Sequence, residues 1–258
     1  MRVPVTGKAA CVQQSSWPQR LWVVRHGESA GNVARDRAEA EELERIDIAE
    51  RDMDVPLSET GERQAEALGR WLAEQPEDER PTVLWVSPYV RAQQTAQIAL
   101  KTAGLDLPSV VDERLREREF GVLDGLTRRG ITAQFPDESE RRTRLGKFYH
   151  RPPGGESWSD VLLRLRAAVD DIRRDCDGER VLLVAHQVVV LLVRYVVENM
   201  TEEEILGIDR LGDVANCSVT KYRLDDGRME LEVYNATEHL EEQDEPVTAE
   251  PDAPAAPR

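Results

Sequence analysis

Residues Leu21 to Ser29, LWVVRHGES, decide how this chain is read. Four apolar residues, Leu21 to Val24, run directly into Arg25, His26 and Gly27. A buried strand is therefore expected to end by presenting a cation and an imidazole side by side. Gly27 permits either a sharp turn or a close approach of other backbone. In an open α/β sheet, ligands bind in the crevice beyond the carboxyl ends of the strands. On these residues alone, a surface Arg-His pair at a strand end is an equal reading. Partners at other strand ends decide between the two.

Two more apolar runs end in the same way. Thr82–Val86 (TVLWV) leads into Ser87-Pro88, with Pro88 expected at the first position of a helix that carries Arg91 in its first turn and stops at Gly104. Val181–Ala185 (VLLVA) ends at His186, and an apolar helix is expected from Val188 to about Asn199. Ser58 is an N-cap candidate for the helix TGERQAEALGRWLAEQ, with Ala65, Leu68, Trp71 and Leu72 on one face. Ser157-x-x-Asp160 has the form of a capping box for a helix running to about Cys176. Val110-Val111 is a short apolar piece, and Ser218–Leu224 and Met229–Tyr234 flank Asp225-Asp226-Gly227, a hairpin signal.

This alternation predicts an α/β fold: a three-layer α/β/α sandwich with a mostly parallel central sheet, in one domain over 20–240. Residues 1–19 read as a loose N-terminal arm. Residues 31–52, charged and anchored only by Leu43, Ile46 and Ile48, read as a solvated helical insertion able to act as a flap. Residues 121–153 read as irregular, and the acidic, Pro- and Ala-rich stretch 241–258 as a disordered tail.

The 258 residues carry 34 Lys and Arg against 50 Asp and Glu, a net charge of −16, which argues against nucleic acid or an anionic membrane as partner. No run approaches the roughly 20 apolar residues of a membrane span. The start, MRVPVTGKAACVQQ, places small residues before Cys11 but lacks the apolar core of a signal peptide, so a cytoplasmic location is expected. Cys11, Cys176 and Cys217 are widely spaced, which fits neither a disulfide framework nor a zinc site. Self-association is left open.

Arg25-His26, Arg91 and His186 thus stand at three strand ends. Converging guanidinium and imidazole groups suit a tetrahedral oxyanion, although the same residues also serve in structural ion pairs. The blocks RHGES (25–29), SPYVRAQQTA (87–96), LREREFG (115–121), GGES (154–157) and VAH (184–186), in this order, resemble the histidine phosphatase superfamily, also called phosphoglycerate mutase-like. The resemblance covers about 20–240.

It implies that His26 is a nucleophile that becomes a phosphohistidine, neutral and held in one tautomer by a hydrogen bond on its other nitrogen. It implies that Arg25, Arg91 and His186 clamp the phosphoryl oxygens. A carboxylic acid must protonate the leaving oxygen, and Glu113, Glu117 and Glu119 all compete for that role. The family pattern selects Glu117. Asn32 matches an asparagine expected to contact phosphate or substrate. No metal or cofactor is expected.

Gln187 after the second histidine, with Lys147 and Arg151 ahead of Gly155–Ser157, is similar to the bisphosphatase domain of fructose-2,6-bisphosphate enzymes. Two substrate-binding positions of that subgroup differ, being Gly154 and Leu191 here, and no kinase domain accompanies it. Residues 117–121 resemble the cofactor-dependent phosphoglycerate mutases, yet Gln187-Val188 stands where those carry Gly-Asn. The resemblance therefore implies a metal-independent phosphomonoesterase for a small, sugar-phosphate-like metabolite, with Lys147, Tyr149, Arg151 and Gln187 as its substrate wall. A mutase-type phosphotransferase and a non-catalytic regulatory module retaining the fold are the rival readings.

Overall fold

The computed structural model describes residues 17–250. Cys11 and most of the expected N-terminal arm lie outside them, while Trp17 at their start lies against the Arg173 guanidinium.

In chain order the elements are strand β1 (Arg20–Arg25), helices α1 (Ala30–Ala40) and α2 (Glu59–Glu74), β2 (Val83–Val86), α3 (Val90–Ala103) and β3 (Ser109–Val111). Next come α4 (Arg128–Gln134), α5 (Pro136–Leu145), α6 (Trp158–Asp175), β4 (Arg180–Ala185), α7 (Gln187–Val197) and α8 (Glu202–Leu211). The hairpin β5 (Val219–Asp225) and β6 (Arg228–Ala236) and a short α9 (Glu238–Glu241) complete it. The sheet runs β3-β2-β4-β1-β5-β6; its first four strands are parallel, and β5 and β6 are antiparallel.

Side chains alternate across this sheet and build two cores. Trp22, Val24, Leu84, Val86, Leu182 and Val184 pack against Leu68, Leu72, Ala92 and Ala96 of α2 and α3. Leu21, Val23, Trp85, Val181 and Leu183 pack on the opposite face against α6 and α7, through Leu165, Val169, Ile172 and Val189. Each fully buried side chain of this size contributes about 1.5–3 kcal/mol. Strands β1 and β4, sealed on both faces, are therefore rigid supports for the residues just beyond their carboxyl ends.

The expected caps are present. Ser58 accepts from Gly61 N, Ser157 and Asp160 close a capping box, and Gly104 ends α3 in the left-handed region. Asp226 and Gly227, at φ 42° and 75°, make the tight turn of the hairpin. Other expectations change. Pro88 precedes α3 rather than opening it, because Tyr89 is extended and α3 begins at Val90. Residues 121–153 are not simply irregular: they hold α4, capped by Thr127, and α5, opened by Pro136. In 31–52 the helix stops at Ala40, and the rest is turn and extended chain whose Arg45 bridges to Leu126. Over its described part, 241–250, the tail is ordered rather than disordered, because Thr248 bonds Asn216 and Glu250, 2% exposed, pairs with Arg25; 251–258 lie outside the described residues.

Candidate active site

Parallel pairing aligns Arg25 of β1 with Ala185 of β4, so the next residues, His26 and His186, leave the sheet side by side. Their ring centroids are 5.1 Å apart, and His26 N donates to Ala185 O at 2.9 Å. The turn after His26 is set by a close approach rather than by an unusual φ. A Cβ on Gly27 would lie 2.6 Å from Gly61 O, and one on Gly61 only 1.9 Å from Glu28 O. Only two glycines let the start of α2 pack this tightly on the RHGE segment. Thr95 ties in α3, accepting from Gly27 N and donating to Arg91 O.

His26 Nδ1 lies 2.7 Å from Gly27 O, a contact that requires a proton on Nδ1. Arg91 Nε donates to His26 Nε2 at 3.3 Å, which marks Nε2 as the lone-pair nitrogen. Burial, reinforced by Arg91 and Arg25, holds this imidazole well below the ordinary histidine range. The ring is therefore neutral and held in a single tautomer, with its Nε2 lone pair toward Arg91. His186 is also fully buried; its Nε2 lies 2.8 Å from Ser87 Oγ, and burial followed by Arg91 keeps it neutral as well.

The Arg25 guanidinium is 3% exposed. Its Nη1 donates to Gln187 Oε1 at 3.0 Å and to Val214 O, and its Nη2 pairs with Glu250 at 3.1 Å. Its Nε is buried without a hydrogen-bond partner among the described residues. Arg91 Nη1 lies 3.0 Å from Asp52 Oδ1, and its guanidinium lies over the Tyr89 ring.

Of the acid candidates Glu117 and Glu119, Glu117 is the one that approaches the histidines. It is 9% exposed, with Oε2 3.6 Å from His186 Nδ1, and Oε1 accepts from Arg118 N. Glu119, half exposed, instead accepts from the Tyr89 hydroxyl. A cavity of about 100 Å³ opens beside Arg91 and Glu117. Ile46, Ile48, Val55 and Phe120 give it apolar walls, and Arg35, Glu50, Asp52 and Asp124 line it as well.

The expected substrate wall is arranged differently. Lys147 bonds both carboxylate oxygens of Asp209 and covers the Trp158 ring. Arg151 bonds Gly155 O and approaches Asp160, while Tyr149 is exposed against Phe148. Gln187 is buried and holds Arg25, its amide donating to Asp213. None of the four lines the cavity. Asn32 sits at the start of α1, where its Oδ1 accepts from Ser29 N and closes a capping box.

Sequence reasoning missed four contributors. Ser87 follows β2 directly, level with Ala185 at the end of β4, and that place one residue short of His186 was the available signal. Asp52 and Arg35 lay in a stretch taken as solvated. Glu250 lay in a stretch taken as disordered.

A family model for the histidine phosphatase superfamily (branch 1) matches residues 21–237. The 2,3-bisphosphoglycerate-dependent phosphoglycerate mutase of Methylobacterium sp. (strain 4-46) is 33% identical over 195 residues, spanning 74% of this chain and 86% of that protein. The fructose-2,6-bisphosphatase of Saccharomyces cerevisiae is 30% identical over 187 residues, 72% of this chain but only 36% of the yeast protein. The solved native structure of mycobacterial glucosyl-3-phosphoglycerate phosphatase superposes with a TM-score of 0.64 at 27% identity, covering 85% of this chain and 99% of that one. With this match over most of its length and a mostly parallel six-stranded sheet, the chain belongs to the histidine phosphatase superfamily.

Proposed function

We propose that the protein is a metal-independent phosphomonoesterase that works through a phosphohistidine at His26. The observation that carries this reading is the neutral His26, its Nδ1 held by Gly27 O and its Nε2 set among Arg25, Arg91 and His186. In the first step the Nε2 lone pair forms the N–P bond as the P–O ester bond breaks. Glu117, in its acid form, gives its proton to the leaving oxygen. In the second step Glu117 takes a proton from water, the hydroxyl oxygen forms a bond to phosphorus, and the N–P bond breaks. Charge spread over the phosphoryl oxygens is met by N–H donors already fixed in place, so little reorganisation is needed.

The cavity supports a class of substrate. Its apolar walls suit a leaving group with an apolar part, and Glu50, Asp52 and Asp124, which outnumber Arg35 and Arg91 there, disfavour a second phosphate. A small monophosphorylated metabolite fits this better than a bisphosphate. A mutase-type phosphotransferase is the second reading, favoured by the named activity of the Methylobacterium relative. The same acidic lining counts against it, since a phosphoglycerate presents both phosphate and carboxylate. The cytoplasmic setting is likewise a proposal, supported by Cys176 and Cys217, both free and buried. Among the described residues, no helix is long and apolar enough to cross a membrane.

The test is a panel of phosphate esters assayed in EDTA with wild type and His26→Ala. Wild type is expected to release inorganic phosphate, with the variant slower by at least roughly a thousandfold. Undiminished activity in His26→Ala refutes the mechanism. Interconversion of 3-phosphoglycerate without phosphate release selects the mutase.

A further inference from the structure

The segment after α9 returns to the end of β1 and reaches Arg25, His26 and Glu28 either directly or through one intervening side chain. Glu250 contacts Arg25 directly, its carboxylate on Nη2 at 3.1 Å and its carbonyl on Nη1 at 3.3 Å. Asn216 Nδ2 donates to His26 O, and the same side chain accepts from Thr248 Oγ1 at 3.0 Å. Gln64 Oε1 accepts from Glu28 N, while Gln64 Nε2 donates to Pro246 O at 2.8 Å and to Thr248 Oγ1 at 3.1 Å. Further back, Glu245 pairs with Arg63, and Gln243 donates to Ala67 O. An acidic, proline-containing stretch is thus fastened as a strap behind the site.

A guanidinium has five N–H donors in one plane, and how they are shared fixes which edge faces outward. On Arg25 both Nη atoms are taken by Gln187, Val214 and Glu250, and Nε alone is buried without a partner among the described residues. Leaving a buried N–H unmet costs about 1–3 kcal/mol, so an acceptor brought to this donor recovers that cost. The pair itself is a poor source of stability, because burying two charges costs about as much as their attraction returns. Glu250 sits on Nη2 and leaves Nε open.

Building on the phosphate-cradle reading, we propose that Glu250 is a positioning residue: the C-terminal strap locks the Arg25 guanidinium so that its Nε–H is presented to a phosphoryl oxygen. The strap is then part of the active site, although nothing in it touches the reacting atoms.

Two conservative variants of the full-length chain test this. Glu250→Gln keeps an oxygen acceptor in place and removes the charge. Glu250→Asp keeps the charge and withdraws it by one methylene. Titration calorimetry with inorganic phosphate reads the cradle without requiring turnover, and circular dichroism with thermal unfolding checks the fold. Positioning predicts that Glu250→Asp weakens phosphate binding about tenfold and lowers kcat/KM in step, while Glu250→Gln stays within about threefold of wild type. The reverse order, with Gln altered and Asp unchanged, makes Glu250 a counter-charge only and overturns the proposal. So does unchanged binding in both. Wild-type protein that binds no phosphate overturns the cradle reading, and the strap's role falls with it; wild-type binding with an unaffected Asp variant removes the strap's role alone.

Discussion

Acidification should unfold this protein early, through its histidines. The chain has four, and all are buried: His26 and His239 at 3% exposure, His150 at 1% and His186 at 0%. Burial is the first cause that lowers each of them below the ordinary value of 6.5. A group with a depressed folded pKa contributes stability that is complete above the unfolded value. That stability is lost as pH falls, because the unfolded chain then binds protons that the folded chain refuses. His239 falls to about 4, with its ring against Trp71 and Nε2 unpartnered among the described residues. Between pH 7.5 and 5.0 its unfolded form gains about 2 kcal/mol that its folded form does not. His26 and His186 act in the same direction. Glu250, Asp36 and Asp124, raised by burial, protonate first in the folded state and offset part of the loss. Carboxylates held low, such as Glu156 and Asp160, lose their contribution only below about 4.5, outside this window.

Urea unfolding at pH 7.5 and 5.0 measures the effect. With a slope of about 2–3 kcal/mol/M, His239 alone corresponds to a midpoint shift of roughly 0.7–1 M. Wild type should lose stability over this interval, and His239→Gln should lose about 2 kcal/mol less than wild type. Equal pH dependence in the two proteins refutes the reasoning.

The geometry has three other testable consequences. Glu117→Gln should slow hydrolysis far more for esters with poor leaving groups than for an activated aryl phosphate, which needs no proton; equal losses on both would move the acid to Glu119. Gly61→Ala places a Cβ 1.9 Å from Glu28 O and should destabilise the fold by roughly 3 kcal/mol or more, so an unchanged thermal midpoint would contradict the close packing of α2 on the RHGE turn. Asp52→Asn removes a partly exposed carboxylate from Arg91 and should tighten inhibition by inorganic phosphate about threefold, read from inhibition kinetics, whereas weaker inhibition would mean that Asp52 positions Arg91.

The strand ends were legible because β1, β2 and β4 are short apolar runs that stop at polar residues, and parallel pairing then brings those residues together. The helices of 121–153 were not legible: α5, PDESERRTRL, buries only Glu138, so it carries almost no apolar stripe to detect. Lys147 and Arg151 read as part of a substrate wall because charge in a loop reports no partner. In the structure Lys147 pairs with Asp209, far away in sequence, and Arg151 approaches Asp160 across the turn that precedes α6. The tail failed for the opposite reason. Its composition is that of a disordered segment, and its order comes from a few specific bonds, such as Thr248 to Asn216 and Glu250 to Arg25. Glu117 was separated from Glu119 in sequence only by family pattern; burial and the approach to His186 now separate them physically.

The central claim is covalent chemistry at His26, and trapping the intermediate tests it most directly. Wild-type protein mixed with a turned-over ester, quenched in alkali where phosphohistidine survives, and mapped by mass spectrometry should carry one phosphoryl group on His26. His26→Ala treated alike should carry none. A phosphoryl group on another side chain, or rapid phosphate release with no labelled protein during turnover, would contradict the account.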